Sequence, residues 1–337
     1  MWQLILTFIY RFTPKDMNLS LTSLTKLLLS VTACFCILLF VAIPARAQTK
    51  NGFDLSKASI PEAEIFQGGP PRDGIPSIDK PQFIDAIQAK FLNPDDRILG
   101  LVINDQAKAY PINIMNWHEI VNDTFSGQHI SITFCPLCGT GMAFDTQLGE
   151  KPLILGVSGL LYQSDVLLYD RQTQSLWSQL MSESVNGPLK GQKLKQLPLA
   201  HTSWEDWQSR YPNTKVLSTE TGYNRDYSDS PYSGYASSKR LYFDINHTPP
   251  AVFHPKELVL GIELLGKYKA YPFVELSKKS ASKFNDSIAG KEIKIHWNKE
   301  ARSAYITDEE GQELVSTTAF WFAWYTFHPE TLVFKEQ

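Results

Sequence analysis

The clearest pattern in the chain is the alternation of Ile130, Ile132 and Phe134 with His129, Ser131 and Thr133, which predicts a half-buried strand. That strand runs into Cys135-Pro136-Leu137-Cys138-Gly139-Thr140-Gly141. Pro136 fixes the backbone after the first thiol and the glycines permit a tight return, so strand, turn and strand follow one another, with both sulfurs facing a common point. Other apolar runs predict strands over 97–103 and 107–112, joined by the turn Asn104-Asp105-Gln106, and over 153–157, 166–169 and 176–177. Short helices are predicted over 79–89, over 113–121, which carries Trp117, His118 and Glu119, and over 203–210, where Ser203 caps and acidic residues fill the first turn. Residues 222–240, rich in Tyr, Ser, Asp and Gly, read as loop. Gly68 to Pro76 can be neither helix nor central strand and reads, from the residues alone, as a surface linker, with an ordered loop over a site as the alternative.

The polar and apolar series then repeats. Leu99-Gly100-Leu101, Lys108-Ala109-Tyr110-Pro111, Asn122-Asp123, Gly127 and Ile130-x-Ile132 are matched by Leu260-Gly261-Ile262, Lys269-Ala270-Tyr271-Pro272, Asn285-Asp286, Gly290 and Ile293-x-Ile295. This predicts an α+β, β-rich fold in which two related β-units from an internal duplication pack together. The first unit spans 96–240 and carries the Cys-Pro-x-Cys knuckle. The second spans 241–337 and lacks the cysteines, with residues 298–302 where the first has its thiols and the counterpart of His118 near Lys279. A Gly/Pro-rich segment, 48–95, precedes both.

The N-terminus is patterned differently. Residues 27–43 are almost continuously apolar, Lys26 precedes them, and Ala45-Arg46-Ala47 follows. This reads as a secretory signal peptide over 1–47, cut after Ala47, with Met17 as an alternative start and a retained membrane anchor as the competing reading. Val31-Thr32-Ala33-Cys34 loosely matches a lipoprotein box, but the apolar run continues past it. The expected location is the periplasm or the extracellular space, with no stable membrane span after cleavage.

Cleavage changes the counts. Cys34 and Cys36 leave, so Cys135 and Cys138 are the thiols of the mature chain. Four basic residues and one acidic residue leave from totals of 32 and 35, so 28 basic residues face 34 acidic ones. With no basic stripe or arginine-rich run, no nucleic-acid partner is expected, and no protein partner is indicated.

In an oxidising compartment two neighbouring thiols either pair or hold a metal. A Cys-x-x-Cys turn supplies two soft ligands for zinc or copper, and without a second such pair the remaining donors must be His or carboxylate. His118 is the first candidate, because its helix directly precedes the knuckle strand. His328, in Trp324-Tyr325-Thr326-Phe327-His328-Pro329, is the second and Asp165 the third. A redox disulfide is the alternative, although Gly139-Thr140-Gly141 does not look like the helix start such sites use. A structural disulfide is the plainest reading. His129, His201 and His296 show no partner pattern, and His247 with His254 reads as a loop. No Gly-x-Ser-x-Gly elbow and no phosphate-binding glycine loop occurs. The aromatic run Phe320 to Tyr325 reads as core.

Gly68 to Pro76, Thr133 to Thr140, Ser158-Gly159-Leu160-Leu161, Ser175 to Gln179, and Phe322-Ala323-Trp324 with His328-Pro329 together resemble the domain-of-unknown-function 3179 family of exported bacterial and archaeal proteins. The resemblance runs from about residue 60 to the C-terminus. It implies an exported protein with a Cys-Pro-x-Cys element, brings no activity with it, and places the Gly/Pro loop in a shared core. The expected function is a mononuclear Cys/His metal site, copper or zinc, on Cys135, Cys138 and His118, with His328 as a further donor. The alternatives are a thiol–disulfide oxidoreductase and a non-catalytic binding module with a structural disulfide.

Overall fold

The knuckle strand forms as Gln128–Cys135 and returns as Thr140–Asp145, in a four-stranded sheet with Ile120–Phe125 and Lys195–Leu197 at its edges. This computed structural model describes residues 49–336. The predicted signal peptide, with Cys34 and Cys36, lies outside them.

Four further sheets surround this one. One orders Ala200–Ser203, Arg97–Ile103, Gln106–Pro111, Lys215–Leu217 and Phe83–Asp85. A second orders Thr317–Phe320, Leu258–Leu264, Lys267–Pro272 and Leu332–Val333, and a third orders Lys283–Ile288, Lys291–Asn298, Ser303–Thr307 and Glu313–Leu314. The fourth orders Glu183–Asn186, Leu176–Ser178, Asp165–Asp170, Leu155–Tyr162 and Ile65–Gln67. The sheets meet as blades: Ala200–Ser203 lies against Ser303–Thr307, Thr317–Phe320 against Thr140–Asp145, and Leu155–Tyr162 against Ile120–Phe125.

The architecture is therefore a β-propeller of five small sheets, which corrects the expected α+β fold of two duplicated units. The α-helices are single short pieces: α1 (Ile112–His118), α2 (Trp204–Arg210), α3 (Phe273–Leu276) and α4 (Trp321–Phe327). None can form a layer of its own, and each follows directly on a strand. The predicted helix over 79–89 is instead the strand Phe83–Asp85 and a single 3-10 turn. The repeated sequence series corresponds to repeated blades. Gly100 faces Ala109 across one hairpin and Gly261 faces Ala270 across another. Lys108 and Tyr110 both reach Asp123, at 2.8 and 2.6 Å, as Lys269 and Tyr271 reach Asp286, at 2.7 and 3.0 Å. Trp207 covers Gly100 and Trp324 covers Gly261, leaving no room for a Cβ, and each indole N–H donates to a threonine at 3.0 Å.

The sheet built on Leu155–Tyr162 belongs to neither series. Four of its strands lie in sequence between Thr140–Asp145 and Lys195–Leu197, which pair with each other. This inserted sheet brings residues from the middle of the chain against the knuckle. The Gly/Pro segment packs on it: Gly68 N–H donates to Gly159 O at 2.8 Å, Asp73 N–H to Val157 O at 2.9 Å, and the Arg72 guanidinium lies 4.0 Å from the centre of the Tyr169 ring. The run Phe320 to Trp324 is buried, as its composition predicts. No helix of the described residues is long and apolar enough to cross a membrane.

Candidate functional site

Cys135 ends the knuckle strand, paired across the turn with Thr140. The turn closes through Cys138 N–H, which donates to Cys135 O at 3.1 Å, and Gly139 leaves it at φ +60°. Both thiols are free and almost wholly buried. On the inserted sheet, Gln163 and Ser164 take positive φ values of 54° and 66°, the geometry of a two-residue hairpin turn that matches strand twist. That turn starts the strand Asp165–Asp170, every residue of which is buried. It aims the Asp165 carboxyl at the knuckle.

Cys135 Sγ, Cys138 Sγ and a carboxylate oxygen of Asp165 lie within 4.8 Å of one another. Cys138 Sγ–H donates to Ser164 O at 3.3 Å, and Leu180 N–H donates to Asp165 Oδ2 at 3.0 Å. Asp165 Oδ1 is buried without a partner, as is Ser164 Oγ. A buried carboxylate oxygen with no donor is costly. Burial pushes Asp165 up to about 7, against the pull of its bond from Leu180 N–H. Burial also raises both thiols, Cys138 well above the ordinary range, with Cys135 and Asp165 adding to that shift.

Glu119 adds a second acid beside this cluster. It caps α1 in the left-handed region at φ 58°, and its backbone carbonyl accepts from Phe134 N–H at 2.7 Å, which fixes it next to the knuckle strand. Its Oε1 accepts from the Tyr232 hydroxyl at 3.2 Å. Burial raises this carboxyl to about 7; the Tyr232 bond opposes the shift and the charge of Asp165 adds to it.

The sequence-predicted donors are thus divided. Cys135 and Cys138 come together with Asp165, the third-ranked candidate. The cluster contains neither His118 nor His328. His118 is buried and engaged elsewhere: Nδ1 meets Pro76 O at 2.8 Å and Nε2 meets the Tyr227 hydroxyl at 2.7 Å. The helix before the knuckle turns this ring toward the loops around Pro76 and Tyr227. His328 follows α4, stacked on Tyr268 with ring centres 4.1 Å apart and packed on Trp324. Its pKa is lowered to about 4 by burial. By sequence alone Glu119 lies on the predicted helix and Tyr232 in a predicted loop, neither with a role. The signal for Asp165 was present, as an acid opening an otherwise apolar strand, Val166-Leu167-Leu168-Tyr169.

The model of the family described as "Protein of unknown function (DUF3179)" matches residues 72–331. No curated protein and no solved structure matches this chain.

Proposed function

We propose, from the premise that this chain belongs to the family described as Protein of unknown function (DUF3179), that it is an exported metal-binding protein whose ion is held by Cys135, Cys138 and Asp165. The observation that carries this reading is the buried convergence of two free thiols and a carboxylate with an unpartnered oxygen. A divalent cation would supply the positive charge that the acid and the thiols lack, and would convert raised pKa values into bound thiolates and carboxylate. Two sulfurs and one oxygen suit zinc better than copper(I), which favours an all-soft set. Three protein donors leave a fourth position for water or a ligand, the pattern of reactive rather than purely structural zinc. The apolar run and small-residue site before Gln48 support export to the periplasm or beyond.

Thiol–disulfide exchange is favoured less. It needs an accessible thiolate, and both sulfurs here are buried with pKa values raised. The test is elemental analysis of protein purified from the periplasm, beside a Cys135→Ser/Cys138→Ser double variant and Asp165→Asn. The expected result is one zinc per chain, lost in the double variant and more readily stripped by chelator in Asp165→Asn. Metal content unchanged in the double variant, or a Cys135–Cys138 disulfide in metal-free protein, would overturn the reading.

A further inference from the structure

A cavity of about 390 Å³ lies against the cluster, with Leu137, from between the two cysteines, and Val166, next to Asp165, in its wall. The size is that of a small-molecule pocket. Ile75, Val157, Leu161 and Phe243 make the wall mainly apolar, and the exposed side chains of Arg240 and Tyr242 stand at the mouth. Glu119 is the acid in this lining. Its Oε1 is taken by Tyr232, whereas Oε2 accepts no hydrogen bond among the described residues and is not among the sealed polar atoms. The residue is 6 % exposed.

The geometry points to a binding site in this cavity for a small, mainly apolar molecule whose one hydrogen-bond donor, an alcohol or an amine, meets Oε2 of Glu119. The apolar walls reward an alkyl or aryl body. A carboxyl that already accepts from Tyr232 is oriented to accept a second donor, and a charged donor binds it more strongly than a neutral one. A carboxylate ligand would meet the Glu119 oxygen rather than a donor at the inner end of the cavity, while Arg240 sits outside in water, where screening weakens its pull. The site does not require the metal, so the two readings fail by separate measurements.

The test is a methyl-NMR titration of the protein at about pH 8.5, where the Glu119 carboxyl is mainly ionised, with 1-hexanol, hexylammonium and hexanoate. The expected result is saturable shifts at Val157, Leu161 and Val166 for the alcohol and the amine, with hexanoate bound at least roughly tenfold more weakly. Glu119→Gln should weaken hexylammonium roughly tenfold or more. Ile75→Trp, which narrows the cavity from a partly buried position, should abolish binding of both probes in a protein that still unfolds cooperatively. Hexanoate binding as tightly as hexanol, hexylammonium affinity unchanged in Glu119→Gln, or no probe shifting these methyls in the wild-type chain would each overturn the inference.

Discussion

Gly139 lies directly under the ring of Phe320: a Cβ at this position would sit 2.9 Å from two of the ring carbons. The same neighbour clamps the knuckle through the backbone, because Phe320 N–H donates to Cys138 O at 2.8 Å. A strand from near the C-terminus thus sets the shape of a turn near residue 138. Gly139→Ala meets two penalties, a positive φ of 60° and the aromatic ring. The expected loss of stability is about 2–4 kcal/mol. Urea denaturation would measure it, and zinc content should fall in the same variant because the turn cannot hold both sulfurs in place.

His118 gives the opposite dissociation. His118→Ala leaves Pro76 O without its ring partner and the Tyr227 hydroxyl with Thr221 Oγ1 alone. The expected cost is about 1–3 kcal/mol. Metal content should not change, since neither ring nitrogen is free to reach the cluster. Paired denaturation and elemental analysis separate the two effects, and loss of metal in a folded His118→Ala protein would contradict this placement.

His328 should make the protein acid-sensitive. Its folded-state pKa is about 4, below the unfolded value near 6.5, so the unfolded chain binds the proton more readily. The neutral ring therefore contributes stability that is whole above about pH 6.5 and declines as pH falls toward 4. The loss is at most roughly 3 kcal/mol, at about 1.4 kcal/mol per pKa unit. His328→Phe keeps an aromatic ring against Tyr268 and Trp324 but cannot titrate. Its denaturation midpoint should fall less steeply between pH 6.5 and 4 than that of the wild type.

What the sequence disclosed was local. The alternation at Ile130, Ile132 and Phe134 and the Cys-Pro-x-Cys turn specify a hairpin by themselves, and Ser203 caps α2 by accepting from Asp206 N–H, as its position predicts. The repeated Gly, Lys-x-Tyr and Asn-Asp positions marked real hairpins with shared register. They did not disclose the inserted sheet, because its packing against the knuckle depends on contacts between residues far apart in the chain. Asp165 ranks only third in the sequence for that reason: twenty-seven positions separate it from Cys138. His118 misled because nearness in sequence to the knuckle strand says nothing about where α1 points its last side chain. The short helices do not reveal the fold class, since a seven-residue amphipathic run looks alike in a helical layer and in a blade connection.

The matching hairpin tests whether the thiols alone make the site. Asn298 pairs with Ser303 as Cys135 pairs with Thr140, so Asn298 and Ala301 stand where Cys135 and Cys138 stand in the knuckle. Arg302, at φ 43°, takes the place of Gly139. The surroundings differ in charge. Arg97 donates to the carbonyls of Ala301 and Arg302, at 2.5 and 3.3 Å, and the nearby Asp206 is already engaged by Arg210 at 2.6 Å and Thr202 at 2.7 Å. Asp206 also faces this turn, its Oδ1 accepting from Asn298 Nδ2–H at 2.9 Å, but unlike Asp165 it is already paired with an arginine. Asn298→Cys/Ala301→Cys therefore creates a second Cys-x-x-Cys beside the Arg97 guanidinium and an acid already neutralised by Arg210, and the predicted metal content stays at one ion per chain. Thiol titration would establish that both new sulfurs are present and reduced. Two ions per chain in that protein would show that an acid free of arginine partners, such as Asp165, is not required.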